Sequence, residues 1–147
     1  MKTPIAPAMK KAGTRHSRTC SRAYHLAKPS ASITALPAHF LHSEGNFQFY
    51  DPVSRILFSG DLGASLVPQE LAAEPVQDFD SHLRVMLGFH RRYMGSNRVC
   101  RFWANMVRQL DIQMIVPQHG SRFVGREMGG PTPTHEFIYA RLLPGEL

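Results

Sequence analysis

"HFLHSEGNFQFYDPVSRILFSGDLGAS", residues 39–65, decides the fold of this chain. It packs two histidines, a glutamate, two aspartates and five aromatics into one run. Its centre, "NFQFYDPVSRILFSGD", reads as two short strands joined by a turn at Asp51-Pro52. In the first arm Phe47, Phe49 and, out of phase, Tyr50 are apolar. In the second, Ile56, Leu57 and Phe58 form a continuous run, the pattern of a strand buried on both faces. Asp61 stands just beyond that strand, in a loop where Gly60 and Gly63 let the backbone turn beside a polar group. His42 stands before the first arm, so the hairpin joins an imidazole to a carboxylate.

Outward from the hairpin, residues 80–94 place Leu83, Leu87 and His90 or Arg91 at helical spacing, with Asp80 or Ser81 available as a cap. Ser96-Asn97 can cap a second helix, "RVCRFWANMVRQL", in which Val99, Phe102, Trp103, Met106, Val107 and Leu110 recur at three and four. "IQMIV" follows as a strand that Pro117 stops, so His119, like Asp61, stands just past a strand end. "GGPTPTHEFIYARLL" gives a break and a short helix from Thr134. No internal repeat is visible. Alternating strands and helices predict an α/β, layered architecture with polar residues on loops at strand ends.

A chain of 147 residues, 43% hydrophobic, supports one core. The formal charge of +6 is uneven: residues 1–30 carry seven Lys or Arg and no acid, while residues 31–147 carry 10 basic and 11 acidic residues. A nearly neutral body argues against nucleic acid, because phosphate affinity needs positioned cations. Residues 1–32 read as a basic, disordered or non-family segment, a composition shared with organelle transit peptides, and residues 33–147 as the domain. Cys20 and Cys100 make neither a disulfide framework nor a metal knuckle. With no long apolar run or secretory signal, the expectation is a cytoplasmic protein with no membrane partner.

The candidate chemistry is His42, Asp61 and His119, two imidazoles and a carboxylate beside hydrophobic strands. Zinc, iron and manganese accept this mixture without thiolate. The spacings of 19 and 58 residues match no generic metal motif, so three unrelated rim residues are the alternative. Glu44 reads as a solvated loop acid, and His82, His90 and His135 as surface or packed helix residues. Phe47, Phe49, Phe58 and Trp103 read as core.

The 39–65 stretch, followed after two helices by "IQMIVPQHG", resembles the metallo-β-lactamase superfamily, and within it the diiron branch of flavodiiron and stand-alone oxygen-binding diiron proteins. The likeness runs from about Leu36 to Gly125. It implies that His42 is a terminal imidazole on one metal, Asp61 a carboxylate bridging both, and His119 the terminal imidazole on the other. His39 is the rival for the first role and otherwise a supporting donor or a plain surface residue. The resemblance further implies iron, two in the intact family, with O₂ binding or O₂/NO reduction as the activity. The alternatives are a zinc metallo-hydrolase and a non-catalytic remnant. As an enzyme, a metal-dependent oxidoreductase is the closer expectation.

One departure matters. The family's first ligand cluster, His-x-Glu-x-Asp with a further His, has no counterpart: the N-terminal histidines, His16 and His25, have no acid near them. The expected fold is therefore the C-terminal half of an αββα sandwich. One sheet face should then be apolar and exposed unless another copy, or the missing N-terminal half-domain, covers it.

Overall fold

The computed structural model describes residues 32–125, together with a strand at 24–26. In chain order the elements are β1 (Tyr24–Leu26), β2 (Ile33–Pro37), β3 (Phe47–Asp51), β4 (Ile56–Gly60), α1 (Gln69–Ala72), α2 (Phe79–Tyr93), α3 (Asn97–Val107), β5 (Met114–Pro117) and β6 (Phe123–Val124). β1 thus lies inside segment 1–32. The helix expected from Thr134 falls outside the described residues.

The β3–β4 hairpin forms where the sequence places it. Asp51 organises its turn: the Val53 N–H donates to Oδ1 at 2.9 Å and the Ser54 hydroxyl to Oδ2 at 2.6 Å. These bonds hold the Asp51 carboxyl below its usual range, Ser54 contributing most. The register sets Phe49 opposite Phe58 and Tyr50 opposite Leu57.

The six strands order as β1-β2-β3-β4-β5-β6. All neighbours run antiparallel except β4 and β5, which are parallel and joined by the crossover through α1, α2 and α3. Parallel pairing sets Leu57 opposite Ile115 and Gly60 opposite Pro117. The loops after both strands therefore leave the sheet at one edge, and these loops carry Asp61 and His119.

α2 is capped by Asp78, whose carboxylate accepts from the Asp80 N–H at 3.1 Å and from the Ser81 hydroxyl at 2.5 Å. Asp80 and Ser81, expected as the cap, are its partners inside the first turn. α3 starts at the expected Ser96, whose Oγ accepts from the Val99 N–H at 3.3 Å. Both helices bury one face against the sheet, in a core of Leu36, Tyr50, Leu57, Met86, Trp103, Val107, Ile115 and Phe123 among others. A polar chain crosses this core: the Trp103 indole N–H donates to Gln48 Oε1 at 2.7 Å, and Gln48 Nε2 donates to the Ser59 carbonyl at 2.9 Å.

The opposite sheet face is open. β3 and β4 alternate, so Gln48, Tyr50, Leu57 and Ser59 are buried while Phe47, Phe49 and Phe58 remain 38%, 41% and 43% exposed. Ile33 on β2 extends this apolar surface. Burial of Ile56–Phe58 on both faces, and a core role for the three phenylalanines, are thus corrected: their run is apolar because the face is made to be covered, and no layer within the described residues covers it. Trp103 is core as expected. Phe102, read as part of the apolar stripe of α3, points outward with the Arg98 guanidinium 5.6 Å over its ring.

The architecture is an α/β layer pair, one mixed sheet backed by helices, as half of a four-layer sandwich requires. Among the described residues no helix is long and apolar enough to cross a membrane.

Candidate metal centre

Two of the three expected donors face each other. His119 Nε2 lies 3.9 Å from Asp61 Oδ1, with the imidazole 63% and the carboxylate 26% exposed. Each follows the end of one of the paired parallel strands.

Backbone bonds strap the two loops together. The Gln118 N–H donates to the Gly60 carbonyl at 2.7 Å, and the Ser65 N–H to the His119 carbonyl at 3.3 Å. Two glycines permit the closeness. Gly63 has φ +94, and a Cβ there would meet the Phe123 ring at 2.9 Å; Gly120 has φ +84, and a Cβ there would meet the Ser65 carbonyl oxygen at 2.8 Å.

His42 stands on a separate loop, residues 38–46. Ala38 N–H donates to the Asn46 carbonyl at 2.9 Å and Phe40 N–H to the Ser43 carbonyl at 2.7 Å, while Asn46 Nδ2 donates to the Leu41 carbonyl. This loop approaches the Asp61 loop through Asn46, whose side-chain amide a Cβ at Gly60 would meet at 3.8 Å. The exposed His42 ring stacks on Phe89, with centroids 5.8 Å apart, and tilts against Tyr93 at 4.8 Å. Phe89 and Tyr93 are one turn apart on α2, so the helix presents an aromatic shelf to the histidine.

Among the described residues none of the other candidates joins the pair in a metal-binding group of three. His39 rests edge-on against Phe47 at 5.2 Å, its Nδ1 buried without a hydrogen-bond partner. Glu44 is exposed. His82 is half-buried against Phe123, and burial lowers its pKa from the ordinary value. His135 lies outside the described residues. His90 is 4% exposed, and it bonds both to its own helix and to the Asp61 loop. Sequence reasoning had it only as a packed or surface histidine. The spacing Phe89, Tyr93 and the glycine at 63 were the available signals of a site-facing helix.

Imidazole nitrogen and carboxylate oxygen bind a divalent ion at roughly 2.0–2.2 Å each, so a gap of 3.9 Å admits one ion between Asp61 and His119. Two donors are a partial set. Among the described residues no three His, Cys, Asp or Glu side chains gather into a metal-binding group. The pair fits an ion; a dinuclear centre needs further donors.

Comparison with known proteins matches this chain to a family. Residues 14–120 match the family described as ODP family beta lactamase. The structure is similar to the apo state of the chemotaxis sensor ODP from T. denticola, with 38% identity and a TM-score of 0.68, covering 79% of this chain and 46% of that one. A structure of a peroxy diiron species of chemotaxis sensor ODP aligns with the same identity and coverage at a TM-score of 0.67. The flavodiiron protein from Giardia intestinalis shares the fold, with 20% identity, a TM-score of 0.65, and coverage of 81% of this chain and 28% of that one. The search of curated proteins gave no match. The chain spans about half the length of the ODP structures it matches. Because the family match spans residues 14–120, well over half of the chain, this chain belongs to the ODP family of beta-lactamase-fold proteins, in the diiron branch of that fold.

Proposed function

We propose that this chain supplies one half of an oxygen-binding diiron centre in the cytoplasm. Asp61 provides the carboxylate shared by two irons, His119 a terminal imidazole on one, and His42 the terminal imidazole on the other. A shared anion suits that position, since it offsets the repulsion between two divalent cations. The remaining donors would come from an N-terminal half-domain packed on the open sheet face carrying Phe47, Phe49 and Phe58. Iron in such a centre supplies a redox-active site for O₂. The chain's own residues hold the carboxylate and imidazole in place through the straps from Gln118 and Ser65.

The observation that carries this reading is the Asp61–His119 pair at 3.9 Å, in a chain 38% identical to a chemotaxis sensor whose structure is described as a peroxy diiron species. Zinc finds no support among these relatives. The test is an anaerobic ferrous titration of the full chain, with iron retained after desalting measured by mass spectrometry, alongside Asp61→Ala and His119→Ala. Loss of an outer-shell partner costs about 10–100-fold in metal affinity, and loss of a donor should cost at least that. Equal iron in wild type and both variants would refute the assignment.

A further inference from the structure

The loop that carries Asp61 makes one bond unlike the others. Across residues 62–65 every backbone N–H is satisfied. Leu62 donates to the Ser59 carbonyl at 3.2 Å, Ala64 to the Asp61 carbonyl at 3.1 Å and Ser65 to the His119 carbonyl at 3.3 Å. Gly63 alone donates to a side chain, His90 Nε2, at 2.9 Å. Because Gly63 N–H is the donor, Nε2 holds a lone pair. The proton is then on Nδ1, which donates to the Met86 carbonyl at 2.8 Å. Burial favours this neutral form, outweighing the opposing effects of the Met86 carbonyl and the Asp61 charge. No side chain from residue 63 itself could replace the anchor, since a Cβ there would strike Phe123.

The same stretch of α2 holds the other loop. Phe89 and Tyr93 flank the His42 ring, Phe89 packs edge-on to His90 at 5.6 Å, and the Gly95 N–H just past the helix donates to the Phe40 carbonyl at 2.8 Å. One helix end thus touches both loops that carry candidate donors.

We infer that His90 is a positioning residue for the centre: its imidazole anchors the Asp61–Ser65 loop through Gly63 and so fixes Asp61 relative to His119. This rests on the proposed role of the Asp61–His119 pair, and the experiment separates the two. Amide hydrogen exchange is measured on the metal-free full chain for wild type, H90F, H90M and H90Q, followed by ferrous titration of each. H90F and H90M fill the space without an acceptor, and H90M serves should H90F not fold; H90Q keeps an acceptor near the Nε2 position. Stranding a buried N–H should speed exchange at Gly63, Ala64 and Ser65 by about tenfold to a hundredfold. Leu57 and Ile115, in the core strands, should change by less than about twofold, and H90Q should restore most of the loop protection. Iron retention should follow the loop. Unchanged protection at Gly63–Ser65 in the acceptor-free variants, or an equal loss in the core strands, would overturn the inference. If wild type retains no iron, the proposed function fails while the exchange pattern still decides what His90 does.

Discussion

Replacing Trp103 by Phe and Gln48 by Met, singly and together, tests whether the buried polar chain beneath the site acts as one unit. Trp103, Gln48 and Ser59 are 3%, 0% and 0% exposed, so water cannot take the place of a lost partner. W103F deletes the donor to Gln48 Oε1 and leaves that oxygen buried and unsatisfied, at about 1–3 kcal/mol, with roughly 1 kcal/mol more for the smaller ring. Q48M strands the Trp103 N–H, at about 1–3 kcal/mol, while the Ser59 carbonyl keeps the Leu62 N–H as its donor. The double variant removes both members of the 2.7 Å bond, and the Ser59 carbonyl still accepts from the Leu62 N–H. It should therefore be less damaging than the sum of the single changes by about 1–3 kcal/mol. Urea unfolding at a shared m-value measures the three differences, and thermal midpoints should fall by about 2–4 °C per kcal/mol for a domain of this size. Additivity within about 0.5 kcal/mol would mean that indole and amide are independent, and the argument from an unsatisfied buried oxygen would fail.

Gly120→Ala forces a left-handed non-glycine residue and a contact with the Ser65 carbonyl at 2.8 Å, and should cost about 1–3 kcal/mol in urea unfolding; a neutral result would mean the 119–121 loop relaxes freely. Burial lowers the pKa values of His90 and His82 from the ordinary 6.5, so between their folded values and 6.5 the unfolded chain binds more protons than the folded one. Stability should then be full above about pH 6.5 and fall as the pH drops below it, and a urea midpoint that rises between about pH 7.5 and 5 would contradict this sign. Changing Phe49 and Phe58, 41% and 43% exposed and directly paired across β3 and β4, to Asn should weaken dye binding and concentration-dependent self-association without lowering the urea midpoint by more than about 1 kcal/mol. Sedimentation identical to wild type would show that the open face does not drive association.

The hairpin, the two amphipathic helices and the strand before Pro117 were legible because each has a local signature: alternation around Asp51-Pro52, a three-and-four apolar repeat after Ser96, a short apolar run before a proline. The placement of Asp61 and His119 at strand ends followed from these. What local pattern could not convey is what lies across a surface. Phe58 looks the same in sequence whether its face is covered or open, and only the register with Phe49 and Val116 shows which side the helices leave bare. Likewise Phe102 fits the stripe of α3 by spacing yet faces solvent, because Trp103 and Val107 already fill the contact with the sheet. His90 was missed for a related reason. Its role depends on Gly63, 27 positions away, and on a backbone N–H that carries no signature of its own. His42 shows the same limit: its loop was recognisable, but not that its ring would lie on Phe89 and Tyr93.

The parallel pairing of β4 with β5 carries a kinetic consequence. Asp61 and His119 come within reach only after the chain between Gly60 and Met114 has folded back and the two strands have aligned, a contact of long sequence separation that closes slowly compared with the β3–β4 hairpin. The hairpin can form early and still contain no metal pair. A divalent ion added during refolding would therefore act mainly on the unfolding rate, holding shut a junction that closes late, and would leave the rate of folding nearly unchanged.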